Sequence, residues 1–173
     1  MSSKILIVED DSEIRKDFRE FFERKNYLVD EAENGLEALN KVKKTKYEAI
    51  ILDLIMPVMS GEKFLEKVNN LKIELSPTII LSAYLDIESI KKCIKFGVRC
   101  LLKKPFSPID LYNITKVLLS NDEKTILPFI KSKDLNLQVI TKDNDDGIDS
   151  LICNLKNDLL STAKDTFQNL KKS

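Results

Sequence analysis

Short apolar runs alternate with longer amphipathic stretches along the first 120 residues of the chain. The runs are rich in Ile, Leu and Val, and we interpret them as strands at residues 4–8, 27–31, 49–52, 78–82 and 99–103. Between them, apolar residues recur at the spacing of three and four that is typical of an amphipathic helix. Strands that alternate with helices predict a parallel sheet that is covered by helices on both faces.

Five helices are predicted, one after each strand, and most begin or end at residues of the types that cap helices. The predicted helix starts are Ser12, Asn34 followed by Glu37, Ser60 with Gly61, and Ser107 with Pro108. Gly97 follows the helix predicted over 86–96 and is expected to end it. The first helix is predicted over 12–25. The side chains expected to face the sheet include Ile14, Phe18, Phe21 and Phe22 in the first helix, Leu36 in the second and Leu71 in the third.

Polar side chains stand at the carboxyl ends of four predicted strands. Strand one is followed by Glu9, Asp10 and Asp11, strand three by Asp53 and strand five by Lys104, while Ser82 ends strand four. In an open doubly wound sheet, ligands bind outside the carboxyl ends of the strands. We therefore expect several carboxylates, one hydroxyl and one ammonium to converge there.

Converging carboxylates need a cation to offset their repulsion. Two like charges about 4 Å apart repel by roughly 4 kcal/mol at an effective dielectric of about 20. Mg²⁺ is a hard cation that prefers oxygen ligands and can bridge a carboxylate to a phosphoryl oxygen. Lys104 and Ser82 could donate to the other phosphoryl oxygens, and Asp53 could serve as a carboxylate nucleophile that forms an aspartyl phosphate. Each residue also has a simpler interpretation as a turn, cap or surface residue, but their joint placement favours a site.

The composition removes several classes of function. The chain contains no histidine, which excludes histidine-based acid–base catalysis and histidine metal sites, and prevents it from carrying a phosphohistidine itself. Lysine plus arginine and aspartate plus glutamate number 28 each, so a broad positive field for DNA is absent from the sequence. We see no apolar run of about 18 residues and no signal peptide, and we expect a cytoplasmic protein without membrane contact.

Four stretches resemble the receiver domains of two-component response regulators: KILIVEDDSEIR, IILDLIMPVMSGEKFL, IILSAY and LLKKPFSPIDL. The resemblance covers about residues 2–120. It implies a flavodoxin-like α/β fold, a doubly wound five-stranded parallel sheet of strand order 2-1-3-4-5. A C-terminal helical extension would follow this receiver domain.

The resemblance also implies a role for each residue of the expected site. Asp53 would be the phosphoacceptor, Ser82 the switch hydroxyl and Lys104 the lysine that pairs with the phosphoryl group. Asp10 and Asp53 would bind Mg²⁺ directly, together with the backbone carbonyl of Ile55, while Glu9 would act through water. Asp11 would be an accessory charge, and the Lys104–Pro105 bond would be cis.

The implied activity is that of a switch and not of an enzyme in the usual sense. A sensor histidine kinase or histidine phosphotransferase would supply the phosphoryl group, and a shift of the fourth helix, fifth strand and fifth helix would report it to an output protein that the sequence does not name. Leu101 stands where the family usually has Tyr or Phe, and a leucine cannot move a polar tip between core and solvent. Ile55 and Tyr84 are bulky and poorly suited to orient a hydrolytic water, so we expect slow autodephosphorylation.

The remainder of the chain is predicted to be a linker over 121–147 and an amphipathic helix over 148–173. It holds 8 lysines and 9 acidic residues, too neutral for a DNA-recognition helix, so we do not expect DNA binding. Three interpretations stay open: a helix that packs on its own domain, a coiled-coil dimer helix, and a segment cut from a longer signalling protein. Rival functions are a pseudo-receiver scaffold, a DNA-binding regulator with an atypical tail, and a haloacid-dehalogenase-type phosphatase, which would need a second Asp where Ile55 stands.

Overall fold

A computed structural model of the protein describes residues 3–84, 87–98 and 100–119. Strands and helices alternate through this part of the chain. The strands are β1 (Lys4–Val8), β2 (Leu28–Ala32), β3 (Ala49–Asp53), β4 (Thr78–Ser82) and β5 (Cys100–Lys103). The helices are α1 (Ser12–Glu23), α2 (Gly35–Val42), α3 (Gly61–Asn70), α4 (Ile87–Lys95) and α5 (Pro108–Leu119).

The five strands form one parallel sheet in the order β2-β1-β3-β4-β5, which confirms the predicted fold class. Alternate residues of each strand face opposite sides. Leu6, Val8 and Leu52 belong to a core that includes residues of α2, α3 and α4. Ile5 and Ile7 belong to a second core, which includes residues of α1 and α5. Both faces of the sheet are therefore covered, as the apolar runs predicted.

The cap of α1 differs from the prediction. Asp11, and not Ser12, is the N-cap residue, and its carboxylate accepts hydrogen bonds from the backbone N–H groups of Glu13 and Ile14 at 2.9 and 3.1 Å. Asp11 has the extended backbone that a cap requires, which places its carboxylate over the free donors of the first turn. The third carboxylate after β1 therefore has a structural partner within its own helix.

Two leucines that were expected to face the sheet are exposed. Leu36 lies near the start of α2, and Leu71 follows the last residue of α3. The sheet-facing stripes of these helices are formed by Ala38 and Leu39 in α2 and by Phe64, Leu65 and Val68 in α3. A helix buries only a limited arc of its surface, so part of its apolar residues lie outside that arc.

Other local predictions are confirmed. Asn34 caps α2 by accepting from the backbone N–H groups of Leu36 and Glu37. Gly97 follows α4 with φ of +82°, a conformation that glycine adopts without steric cost. No helix in the described ranges is long and apolar enough to cross a membrane. The linker predicted over 121–147 and the helix predicted over 148–173 lie outside the described residues.

Candidate functional site

Two carboxylates directly follow the C-terminal end of β1, at the end of the sheet where all five parallel strands finish. Glu9 is buried, and its backbone N–H donates to the carbonyl of Ala32 at 3.1 Å, which continues the pairing of β1 with β2. Asp10 follows at the surface. The apolar run from Ile5 to Val8 thus ends in one buried and one exposed carboxylate.

Asp53, the last residue of β3, is only 5% exposed. One carboxylate oxygen accepts from the backbone N–H of Ile55 at 3.0 Å. The helix that follows starts very close to this strand end: a Cβ on Gly61 would lie 2.4 Å from the carbonyl oxygen of Asp53. A side chain at position 61 would therefore force α3 away from the site, and glycine permits the close approach.

Lys104 joins the two strand ends from the far side of the site. Its backbone N–H donates to the carbonyl of Ser82 at 2.8 Å, and the Lys104–Pro105 bond is cis, as the resemblance implied. Its ammonium lies 2.8 Å from a carboxylate oxygen of Glu9 and 2.5 Å from one of Asp53. One ammonium therefore serves two buried carboxylates, which come from positions 95 and 51 residues earlier in the chain.

The charges in this cluster shift one another's protonation. Burial is the main reason that the pKa of Glu9 is raised to about 7, and the negative charge of Asp53 adds to the effect, while Lys104 opposes it. Burial acts against the charge of Lys104, but its hydrogen bonds to Asp53 and Glu9 outweigh that effect and raise its pKa. Lys104 therefore offsets only part of the effect that burial and the charge of Asp53 have on Glu9.

The donor set fits a hard divalent cation. One oxygen from each of Glu9, Asp10 and Asp53 lies within 4.8 Å of the others. All three ligand groups are carboxylates, which Mg²⁺ prefers, and exposed Asp10 opens the cluster to solvent, which suits an ion that keeps several waters. The backbone N–H of Ile55 is held by Asp53, but the role of the Ile55 carbonyl as a ligand stays a prediction.

Ser82 ends β4 beside the end of β3 and is fully buried. Its hydroxyl donates to the carbonyl of Tyr84 at 2.6 Å and accepts from the Tyr84 N–H at 3.2 Å. The hydroxyl is thus engaged with the segment that leads from β4 towards α4. To reach a group on Asp53, it would have to exchange the Tyr84 carbonyl for that group.

Three exposed large side chains lie in the segments that follow Asp53 and Ser82. Ile55 and Val58 follow Asp53 in the loop before α3, Tyr84 follows Ser82, and their exposed fractions are 64%, 79% and 71%. Val58 has φ of +65°, which is strained for a β-branched residue. Leu101, in contrast, is completely buried in β5.

One residue of the site was not predicted from the sequence. Arg15 in α1 folds back over the turn after β1, and its guanidinium donates to the backbone carbonyls of Glu9 at 2.7 Å and Asp10 at 3.2 Å. An arginine five residues after Asp10 has no local signal that separates it from a surface residue. Glu9, Asp10, Asp53 and Lys104, which the sequence did single out, are brought together, with Ser82 on the neighbouring strand.

Known proteins share this sequence pattern. "Transcriptional regulatory protein ResD" of Bacillus subtilis is 36% identical over 123 residues, which is 71% of this chain and 50% of ResD. "Probable transcriptional regulator ycf29" of Porphyra purpurea is 34% identical over 149 residues, which is 86% of this chain and 66% of that protein. The chain therefore spans about half to two thirds of the length of these curated relatives.

Solved structures share the fold. The receiver domain of the Francisella response regulator 1452 superposes with a TM-score of 0.63 at 30% identity, over 68% of this chain and 97% of that one. The chemotaxis response regulator CheY4 of Vibrio cholerae gives the same TM-score and identity over 69% of this chain and 100% of its own. Residues 5–116 match the family described as the response regulator receiver domain. The chain therefore belongs to the receiver domain family of two-component response regulators.

Proposed function

We propose that the chain is a Mg²⁺-dependent phosphoacceptor switch, and that Asp53 accepts a phosphoryl group from a phosphohistidine on another protein. The donor would be a sensor histidine kinase or a histidine phosphotransferase. The observation that carries the proposal is the position of Asp53, which lies in a cluster of three carboxylates with Glu9 and Asp10 and also bonds the ammonium of Lys104. Because the chain contains no histidine, the phosphohistidine has to come from a partner.

The transfer step balances as a simple displacement. A carboxylate oxygen of Asp53 attacks the phosphorus, an O–P bond forms, the P–N bond breaks, and the electron pair of that bond returns to the imidazole nitrogen. Lys104 can turn from Glu9 to a phosphoryl oxygen and neutralise its charge. Mg²⁺ would be held by Asp10, Asp53 and the Ile55 carbonyl, and by Glu9 through water. Its role would be to neutralise carboxylate and phosphoryl charge.

The output step depends on Ser82. Its hydroxyl donates to the carbonyl of Tyr84, at the start of the segment towards α4. If the hydroxyl moved to a phosphoryl oxygen, this bond would be released and the surface formed by α4, β5 and α5 could shift. Leu101 is fully buried, so this shift would proceed by aliphatic repacking and not by the rotation of an aromatic ring.

The phosphorylated form should last long. Ile55 and Tyr84 stand two residues after Asp53 and Ser82, both are bulky and exposed, and neither side chain has an amide or carboxylate to orient an attacking water. The chain would therefore act as a switch with slow autodephosphorylation and not as a phosphatase. We place this activity in the cytoplasm, where sensor kinases present their phosphohistidines.

Transcriptional control is a second candidate function. Both curated relatives named above are called transcriptional regulators, and the match to ycf29 covers 149 residues, so it includes residues beyond the receiver domain. The balanced charge of this chain argues against direct DNA contact. A binding assay at physiological salt with promoter DNA, with and without phosphorylation, separates a DNA-binding regulator from a switch that acts on another protein or forms a homodimer.

The proposed function is tested by incubating the protein with acetyl phosphate and Mg²⁺ and measuring its intact mass. Wild type should gain one phosphoryl group, and Asp53→Ala should gain none. Asp17→Ala, which removes an exposed carboxylate of α1, is the matched control and should gain one. A pseudo-receiver would leave the wild type unmodified, and equal labelling of Asp53→Ala would move the phosphoacceptor elsewhere.

A further inference from the structure

Arg15 connects three parts of the molecule around the cation site. Its Nη1 donates to the carbonyl oxygens of Glu9 and Asp10, and its Nε lies 3.5 Å from the carboxylate of Glu31 on β2. The side chain of Arg15 is mostly covered, with 16% of its surface exposed. One side chain thus ties the turn between β1 and α1 to the edge strand of the sheet.

The bonds from Arg15 restrict the direction of the two carboxylates. A side chain and a carbonyl leave the same short piece of backbone, so a fixed carbonyl limits where the side chain can point. Glu9 has a second restraint because its carboxylate is buried and bonded to Lys104. Asp10 is exposed, and packing does not hold it, so its direction depends more on the backbone bonds around it.

We propose that Arg15 is a positioning residue for the cation site, one that fixes the turn after β1 so that the Asp10 carboxylate faces those of Glu9 and Asp53. The inference rests on the proposed function because it assigns Arg15 a part in Mg²⁺ binding. Partners of metal ligands commonly change metal affinity by about 10- to 100-fold when they are removed. Arg15 would be such a partner, acting through the backbone and not through the carboxylates themselves.

A positioning role and a simple charge effect of Arg15 predict opposite changes in Mg²⁺ affinity when Arg15 is removed. Arg15 is a cation close to a cation site, so its removal would strengthen Mg²⁺ binding if its charge were all that mattered. Loss of the two carbonyl bonds would weaken Mg²⁺ binding, because Asp10 would then sample directions away from the site. The direction of the change in affinity therefore separates the two roles.

Arg19 provides a matched control. It lies one helical turn after Arg15, and its guanidinium also bonds Glu31, at 2.7 Å. Between the two arginines, only Arg15 is seen to bond the carbonyls of Glu9 and Asp10 within the described part of the chain. Arg15→Met and Arg19→Met remove the same charge and the same number of donors. They differ because only Arg15→Met removes the bonds to the backbone carbonyls of Glu9 and Asp10.

The test is calorimetric titration of MgCl₂ into the phosphate-free protein, for wild type, Arg15→Met, Arg15→Lys and Arg19→Met. We expect the Mg²⁺ dissociation constant of Arg15→Met to rise about tenfold. Arg15→Lys keeps the charge but cannot reproduce the guanidinium geometry, so its constant should lie between those of wild type and Arg15→Met. Arg19→Met should bind Mg²⁺ as tightly as wild type, or more tightly.

An unchanged or lower dissociation constant in Arg15→Met overturns the inference, and so does an equal rise in Arg19→Met. If Arg15→Met does not fold, as judged by circular dichroism, Arg15→Lys decides, because a weakening at constant charge can come only from geometry. A wild type that takes up no Mg²⁺ contradicts the proposed function and this inference together. A wild type that binds Mg²⁺, with Arg15 variants that bind it equally well, contradicts this inference alone.

Discussion

Two charged clusters differ in how many donors they offer each carboxylate, one after the C-terminal ends of β1 and β3 and one that includes residues at or just before the N-terminal ends of the same strands. The functional edge consists of Glu9, Asp10, Asp53 and Lys104, three carboxylates for one ammonium. The Tyr47 lock consists of Lys4, Asp30 and Tyr47, one carboxylate for two donors. In the lock, Asp30 accepts from the Tyr47 hydroxyl at 2.6 Å and from the Lys4 ammonium at 2.9 Å.

The two clusters shift the pKa of their carboxyl groups in opposite directions. Burial raises the pKa of Glu9 to about 7 at the functional edge. In the lock, burial also acts to raise the pKa of Asp30, but the hydrogen bonds from Tyr47 and Lys4 outweigh it and lower the pKa. A carboxylate that has its donors stabilises the fold, whereas a surplus of carboxylates calls for an additional cation.

Removal of the Lys104 ammonium is the substitution at the functional edge for which we expect the largest effect, because it leaves the carboxylates of Glu9 and Asp53 without their shared cation. Lys104→Met should slow phosphoryl uptake from acetyl phosphate by about a hundredfold or more, since one positioned donor for developing charge commonly contributes that much. The measurement is the rate at which the phosphorylated mass appears. Lys103→Met, one residue earlier in β5, is the control and should react like wild type, and equal rates for the two variants would remove Lys104 from the chemistry.

Ile55, an exposed residue close in sequence to Asp53, can be substituted without changing any residue of the Tyr47 lock. Ile55→Asn places an amide near the mouth of the site, where it can orient water, and should shorten the lifetime of the aspartyl phosphate by at least about tenfold. Decay of the phosphorylated mass after removal of the donor measures this. Val58→Asn makes the same chemical change three residues further on, where φ of +65° suits asparagine, and should leave the decay unchanged. A wild-type half-life of seconds would contradict slow autodephosphorylation.

Removal of the Tyr47 hydroxyl should leave the Asp30 carboxylate with one hydrogen-bond donor fewer. Tyr47→Phe should lower the free energy of unfolding by about 1–2 kcal/mol at neutral pH, because Asp30 keeps Lys4 but loses the phenol donor. Urea titration measures this, and phosphoryl uptake should stay as in wild type.

The effect of Tyr47→Phe should also depend on pH with a definite sign. The pKa of Asp30 is lower in the folded state, so its contribution is present above the unfolded value and is lost as the pH falls through the folded one. The difference between wild type and Tyr47→Phe should therefore shrink below about pH 4, near the ordinary aspartate pKa. A difference that grew on acidification would contradict this description of the lock.

The functional edge could be predicted from the sequence and the lock could not, for a physical reason. Glu9, Asp10, Asp53 and Lys104 follow apolar runs, and the parallel sheet brings the ends of such runs together. Asp30 lies inside β2 and Tyr47 precedes β3, so neither stands at a strand end. Their contact depends on the register between strands, which the apolar pattern alone does not fix.

Side-chain direction also limited the prediction. Asp11 and Ser12 are both good caps, and the backbone conformation of the turn decided between them. Arg15 has the spacing of an exposed helical residue, and only the folded structure shows its guanidinium turned back to the carbonyls of Glu9 and Asp10. Contacts between a long side chain and the backbone leave no periodic signal in a sequence.

The comparison of the two clusters rests on the claim that the surplus of carboxylates at the functional edge forms a cation site. The most direct test is the free energy of unfolding with and without saturating Mg²⁺, for wild type, Asp10→Asn and Asp30→Asn. We predict that Mg²⁺ stabilises wild type and Asp30→Asn by about 2.7 kcal/mol when its concentration is about 100 times the dissociation constant, and stabilises Asp10→Asn far less. Equal stabilisation of all three proteins, or none of wild type, would contradict the claim.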